Sequence, residues 1–164
     1  MSRTDEHTVY VGLGSNLHRP AHQVRQALTA LGQLEQTRLN ASSQLYASRP
    51  QGPQDQPDFV NAVACLSTRL SPEALLSALQ NLERQQGKVK NRHWGERVID
   101  LDLLLYSDWL IDTRALTVPH PQIQQRDFVL VPLLELAPEL RCPRTGEPYQ
   151  KMLAKLPEHF LTPS

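Results

Sequence analysis

Across residues 8–13 the chain alternates, with Val9, Val11 and Leu13 on one side, and the run breaks at Gly14, Ser15 and Asn16. That pattern predicts a strand ending in a turn. The period then changes: Val24, Ala27, Leu28 and Leu31 recur at helical spacing, with Pro20 at the start and Gly32 as the stop. Residues 34–47 are polar and weakly alternating, an exposed strand. Residues 48–58 carry Pro50, Pro53 and Pro57 and read as a stiff loop, because proline fixes φ and removes the amide donor. Alternation resumes over 59–70, where Phe59, Asn61, Val63 and Cys65 face one way and Val60, Ala62, Ala64 and Leu66 the other. Ser71 caps a second helix with Pro72 and Glu73 in its first turn, a stripe of Leu75, Leu76, Leu79 and Leu82, and Gly87 at its end. A basic, irregular loop leads to the strand RVIDLDLLLY at 97–106, followed by an excursion around Asp108, a small strand at 116–118, a helix over 125–136 and a last helix over 149–156. The order β-α-β-β-α-β with C-terminal additions is an α+β, ferredoxin-like arrangement in which two helices cover one face of a mainly antiparallel sheet.

Composition narrows what such a fold does. A chain of 164 residues, 40% hydrophobic, holds one core, so a single domain over 1–164 is expected. Seventeen basic residues balance 17 acidic ones, so the molecule as a whole has no pull toward nucleic acid or an anionic membrane, and any anion site is local. The start MSRTDEHT has no apolar signal core, and no window approaches the roughly 18 apolar residues of a membrane span, which predicts a soluble, cytoplasmic chain. Cys65 and Cys142 have no CxxC spacing and are expected to be reduced and structural.

The strand RVIDLDLLLY carries the sharpest chemical signal. Period-two geometry puts Ile99, Leu101, Leu103 and Leu105 on one face and Asp100, Asp102, Leu104 and Tyr106 on the other. The two acids then share a face, with α-carbons about 6.5–7 Å apart, and both ionise comfortably only beside a counter-charge. Solvated acids on an edge strand would explain the spacing equally well. Against that, Leu104 and Tyr106 continue the same face, and Arg84, Lys88, Lys90, Arg92 and Arg97 gather five cations around Glu96 just upstream. A paired carboxylate beside a cationic loop suits Mg²⁺ and phosphate: hard oxygen ligands for the ion, Lys and Arg for the remaining charge. Trp94, followed by Gly95, is costly to expose in a charged loop and suits a lid over a flat ring.

Other residues are more ambiguous. Gly12 and Gly14 share a face, leaving room for a planar ligand, although paired glycines in a strand are more often a bulge or turn approach. GLGSN lacks the lysine of a P-loop and the third glycine of a dinucleotide motif. Buried in its strand, Asn61 needs partners for a donor and an acceptor, which either a heterocycle's amide edge or local backbone supplies. His120, held between Pro119 and Pro121 with Arg126 six residues on, fits a phosphate contact or a proton donor, or a purely structural role.

The stretches GLGSN at 12–16, GPQDQPDFVN at 52–61, LERQQGK at 82–88, RHWGERVIDLDLLLY at 92–106 and LTVPHPQIQQRDFVLVPLLELAP at 116–138 together resemble the 6-hydroxymethyl-7,8-dihydropterin pyrophosphokinases of folate biosynthesis. The resemblance implies transfer of pyrophosphate from ATP to the pterin's hydroxymethyl oxygen with release of AMP, without a covalent intermediate. It implies two Mg²⁺ on Asp100 and Asp102, which would be the counter-charge the strand requires. It places Gln80, Glu83, Lys90, Trp94, Arg97, Leu103, Thr117, His120 and Arg126 around the nucleotide, with Arg97 and His120 catalytic beside the two acids. It places Gly14, Ser48, Phe59, Asn61, Trp94 and Phe128 around the pterin. Its partners are small molecules, with no nucleic acid or membrane, and the chain is expected to be a monomer. Arg49, Gln51, Lys88 and Ala115 depart from the family pattern. Two rivals stand beside this reading: another two-metal nucleotidyl or phosphoryl transferase, for which one short cationic loop is a poor nucleic-acid track, and a non-catalytic ferredoxin-like binding module, which leaves the acids, histidine and tryptophan loop unexplained together.

Overall fold

The computed structural model describes residues 5–87 and 96–162. The expectations placed on Lys88, Lys90 and Trp94 fall outside the described residues. The first part of the chain runs β1 (His7–Ser15), α1 (Pro20–Leu31), β2 (Thr37–Ser42), β3 (Tyr46–Ser48), β4 (Phe59–Thr68), α2 (Pro72–Gln85) and β5 (Asp100–Tyr106). The sheet order is β2-β4-β1-β5 with β3 also on β4, and every pairing is antiparallel. The fold is α+β and ferredoxin-like, as expected.

The single exposed strand expected over 34–47 is two strands on one partner. β2 pairs with β4 from Thr68 to Ala64, and β3 pairs with it from Asn61 to Phe59. Ser43 bridges the gap: its amide donates to the Val63 carbonyl at 2.9 Å and its hydroxyl accepts from the Val63 amide at 2.9 Å. The polar composition that weakened the strand signal supplies this repair.

α1 and α2 cover one face. Val24, Ala27 and Leu31 of α1 and Leu75 and Leu79 of α2 meet Val9, Val11 and Leu13 of β1 and Leu101 and Leu103 of β5. Ser71 caps α2 through its hydroxyl, which accepts from the Ala74 amide at 3.1 Å, and Gly87 follows the helix with φ of 98°. Gly32 ends α1 as expected, with a right-handed φ of −69°, and a Cβ there would lie 3.5 Å from that of Leu39.

The second face is also buried, by the C-terminal elements. After β6 (Ile111–Asp112) and its partner β7 (Thr117–Val118), a 3₁₀ turn at Ile123–Gln125 leads into α3 (Asp127–Leu136), and α4 (Tyr149–Ala154) follows. The helix expected over 125–136 is α3, which starts two residues later and ends at the same residue, with the 3₁₀ turn ahead of it. Leu130 and Leu133 of α3 and Tyr149 and Met152 of α4 pack on Val63, Leu104 and Leu105. The last helix ends two residues early, and the chain runs on to bridge Leu161 with Ser48.

β5 departs from simple alternation at one point. Val11 pairs with Leu103 but Tyr10 pairs with Leu105, so Leu104 is an extra residue, a bulge. Asp100, Asp102 and Leu104 keep their shared face, but beyond the bulge the faces exchange. Tyr106 joins the core under α1 and α2, and Leu105 joins the core under α3 and α4, the reverse of strict period two. The bulged Leu104 carbonyl accepts the His120 amide at 2.9 Å. A backbone irregularity thereby fixes the histidine.

Candidate active site

On the second face, the register brings Asn61 of β4, Gly14 of β1 and Asp100 of β5 into one cross-strand row, and sets Gly12 opposite Asp102 in the next. Asn61 and Asp100 are two strand spacings apart, about 9.5 Å, with no side chain between them. This row floors an open cavity walled by Ser48, Arg49, Gln51, Gly52 and Phe59 on one side, Arg97, Asp100 and Asp102 on another, and Arg126, Phe128 and Val129 at the start of α3. A Cβ on Gly14 would approach Asn61 Oδ1 to 3.4 Å and Phe59 to 3.8 Å, so this glycine keeps the floor flat. Gly12 also lines the cavity, and a Cβ there would meet the Leu104 side chain at 3.5 Å.

Asn61 is 5% exposed, and both amide hydrogens are engaged, by the Ser48 hydroxyl at 2.8 Å and the Tyr46 carbonyl at 3.3 Å. Local partners satisfy its donor side, which leaves Oδ1 as the atom that can accept from a ligand. Ser48 is itself buried and fixes the amide's orientation.

At the other end, Arg97 Nε lies 3.6 Å from Asp100 Oδ1, with the arginine side chain 8% exposed and the aspartate 30%. Arg126 donates from Nε to Gln51 Oε1 at 2.9 Å, and its guanidinium lies 5.6 Å from the centre of the Phe128 ring. Burial lowers the Arg126 pKa, partly countered by Asp102 and Asp100. Among the described residues no group of three or more His, Cys, Asp and Glu side chains could hold a metal ion. Asp100 and Asp102 alone fit a hard cation that takes its other ligands from substrate phosphate and water, the habit of Mg²⁺ rather than of Zn²⁺.

His120 is half-buried. Its Nδ1 accepts from the Gln122 amide at 3.1 Å, so in the neutral ring Nε2 carries the hydrogen. Burial, reinforced by Arg126, pushes its pKa down to about 4. With the ring neutral, Nε2 can donate a hydrogen bond to a phosphate oxygen.

The remaining expected residues among those described do not line the cavity. Gln80 is exposed on α2. Glu83 is 7% exposed and accepts the Leu101 amide at 2.7 Å, occupying a donor on the outer edge of β5. The Leu103 side chain is in the core beneath α1 and α2, so only its backbone is available to a nucleotide. Thr117 is half-buried in β7, and neither it nor His120 is among the cavity-lining residues.

One organising residue was quoted only as part of a turn. Asn16 is 1% exposed. Its amide donates to the Arg97 carbonyl at 3.0 Å, its Oδ1 accepts from the Arg97 amide at 2.8 Å, and its Nδ2 donates to Gln56 Oε1 at 2.9 Å and the Pro57 carbonyl at 3.0 Å. Gln56 in turn donates to the Pro53 carbonyl at 2.9 Å. Asn16 therefore joins the proline loop to the backbone of Arg97. The available signal was its motif, since an asparagine ending a glycine-rich strand reads first as a turn residue.

The model of the 7,8-dihydro-6-hydroxymethylpterin-pyrophosphokinase family matches residues 10–138. The chain is 51% identical over 138 residues to the 2-amino-4-hydroxy-6-hydroxymethyldihydropteridine pyrophosphokinase of Haemophilus influenzae, covering 84% of this chain and 86% of that one. It is 52% identical over 149 residues to the protein of that name from Pseudomonas aeruginosa, covering 91% of each. In fold it is similar to the crystal structure of wild-type Plasmodium falciparum HPPK-DHPS with pteroate, with a TM-score of 0.74 at 14% identity, over 92% of this chain but only 42% of that longer one.

Proposed function

The chain belongs to the 7,8-dihydro-6-hydroxymethylpterin-pyrophosphokinase family, and from that premise we propose that it transfers pyrophosphate from ATP to the hydroxymethyl oxygen of 6-hydroxymethyl-7,8-dihydropterin, releasing AMP, a step of folate synthesis. The observation that carries the reading is the cross-strand row in which Gly14 leaves bare floor between the Asn61 amide and the Asp100 carboxylate. A flat heterocycle laid along that row presents one polar edge to Asn61 Oδ1 and its substituent to the acids, with Phe59 and Phe128 available for packing.

The proposed chemistry forms the bond from the hydroxymethyl oxygen to the β-phosphorus as the bond to the α-phosphate oxygen breaks. No serine or cysteine nucleophile is needed, because in-line phosphoryl transfer gains most from positioning and charge neutralisation. Asp100 and Asp102 would hold Mg²⁺, two ions by the resemblance, whose charge offsets that of the phosphates. Asn16 holds the Arg97 backbone, the Arg97 guanidinium donates to the Glu96 carbonyl and lies beside Asp100, and Gln51 accepts from Arg126, so both guanidinium groups are oriented before substrate arrives. The His120 Nε2 hydrogen supplies a neutral donor to a phosphate oxygen.

The same reading makes small molecules the partners of a monomeric, single-domain cytoplasmic enzyme. Among the described residues no helix is long and apolar enough to cross a membrane. The test is chromatographic: with ATP, Mg²⁺ and 6-hydroxymethyl-7,8-dihydropterin, AMP accumulates only when the pterin is present. Formation of ADP, or of AMP regardless of pterin, contradicts the assignment.

A further inference from the structure

A buried carboxylate beside the cavity has no part in the proposed chemistry. Asp127, in the first turn of α3, is 2% exposed. Its two oxygens accept the Phe160 amide at 3.0 and 2.9 Å and the Leu161 amide at 3.0 Å, with His159 Nδ1 3.7 Å away. A buried acid that takes three backbone hydrogen-bond contacts from one short segment is clamping that segment.

The clamped segment grips the pocket wall. The Phe160 carbonyl accepts the Arg49 amide at 2.8 Å, the Thr162 amide donates to the Ala47 carbonyl at 2.9 Å, and Leu161 bridges to Ser48. The Arg49 guanidinium stacks over the Phe160 ring at 4.4 Å and donates to the His159 carbonyl at 3.0 Å. The same ring meets Phe128 edge-on at 5.8 Å. Arg49, Ser48 and Phe128 all line the cavity, and Ser48 orients Asn61.

We propose that Asp127 is a positioning residue for the acceptor pocket: by clamping residues 159–162 it holds them against β3 through the Leu161–Ser48 bridge and sets the places of Ser48, Arg49 and Phe128. This rests on the reading of the cavity as the pterin site. The clamp's contacts are with the ring-binding wall rather than with Asp100, Asp102 or Arg97. Its loss therefore weakens pterin binding far more than nucleotide binding.

The experiment compares the full-length wild type with Asp127→Asn, Asp127→Ala and Thr162→Pro. Pterin affinity and the affinity for a non-hydrolysable ATP analogue are measured separately by calorimetry, with amide hydrogen exchange over 46–52 and 159–162 in each. Thr162→Pro removes one tail hydrogen bond without touching the buried acid, so it decides the matter if the Asp127 variants do not fold. The expected result is a loss of pterin affinity of about tenfold for Asp127→Ala, the scale of one buried hydrogen bond, a smaller loss for the other two, faster exchange in both segments, and nucleotide affinity within about twofold of wild type. Unchanged pterin affinity despite a released tail overturns the proposal, as does a parallel loss of both ligands, which marks general loosening. A wild type that does not bind pterin at all contradicts the pocket assignment itself.

Discussion

The two halves of β5 share a strand, a partner and an edge position, yet one half lines the cavity and the other is core. In the first half, Asp100 and Asp102 stand opposite Gly14 and Gly12, so the neighbouring strand brings no side chain to cover them. In the second half, Leu104, Leu105 and Tyr106 are each no more than 2% exposed, and the bulge shares them between the two cores. The difference lies in what β1 offers across the ladder: glycine leaves a cavity that charged groups can line, and larger residues allow the sheet to close. The bulge at the boundary turns the Leu104 carbonyl to His120 and so ties the packed half to the rim of the working half.

Changes to the two halves should therefore separate activity from stability. Asp100→Ala and Asp102→Ala are each expected to reduce turnover by ~10³-fold or more while the thermal midpoint stays within a few degrees; steady-state AMP formation and a melting curve check both. Leu105→Ala creates a cavity in the core under α3 and α4 and should cost about 3 kcal/mol in urea unfolding, with turnover retained wherever the protein is folded.

His120 marks the boundary and gives it a pH signature. Its pKa is held at about 4 by burial and by Arg126, against an ordinary value of about 6.5. As pH falls below about 6.5 the unfolded chain takes up a proton that the folded chain refuses, so stability is lost down to about pH 4 and levels off below it. The contribution is on the order of 2 kcal/mol once partial exposure is allowed for. His120→Asn should flatten that slope in unfolding measured between about pH 7 and 4.5.

The smallest effects come from the glycines themselves. Gly14→Ala puts a methyl group on the cavity floor and should weaken pterin binding by about tenfold, with stability changed by less than about 1 kcal/mol. Gly12→Ala meets Leu104 at ordinary contact distance and should change pterin binding by less than about threefold. Titration calorimetry on the pair measures how far the bare floor is needed.

Much of this was legible because it is local. Period two located β1, β4 and β5, period 3.6 located α1 and α2, and the spacing of Asp100 and Asp102 put them on one face. The order of elements pointed to the ferredoxin-like sheet, and the motifs pointed to the family. What escaped depends on distant partners. The Leu104 bulge comes from the register against β1, so strict alternation misplaced Leu105 and Tyr106. Asn16 reaches Gln56 and Arg97, and Asp127 reaches Phe160, across separations that no periodicity reports. The donor side of Asn61 is satisfied by a short strand that a polar stretch had concealed.

The account turns on the acids working because β1 leaves them uncovered, and on the rest of the strand serving only to hold them. The most direct measurement sets Asp102→Ala against Leu105→Ala in one experiment, recording AMP formation and unfolding free energy for both at a temperature where each is folded. The prediction is an inactive Asp102→Ala protein of near wild-type stability and an active but destabilised Leu105→Ala protein. Substantial turnover in Asp102→Ala, or complete loss of turnover in a folded Leu105→Ala protein, would contradict it.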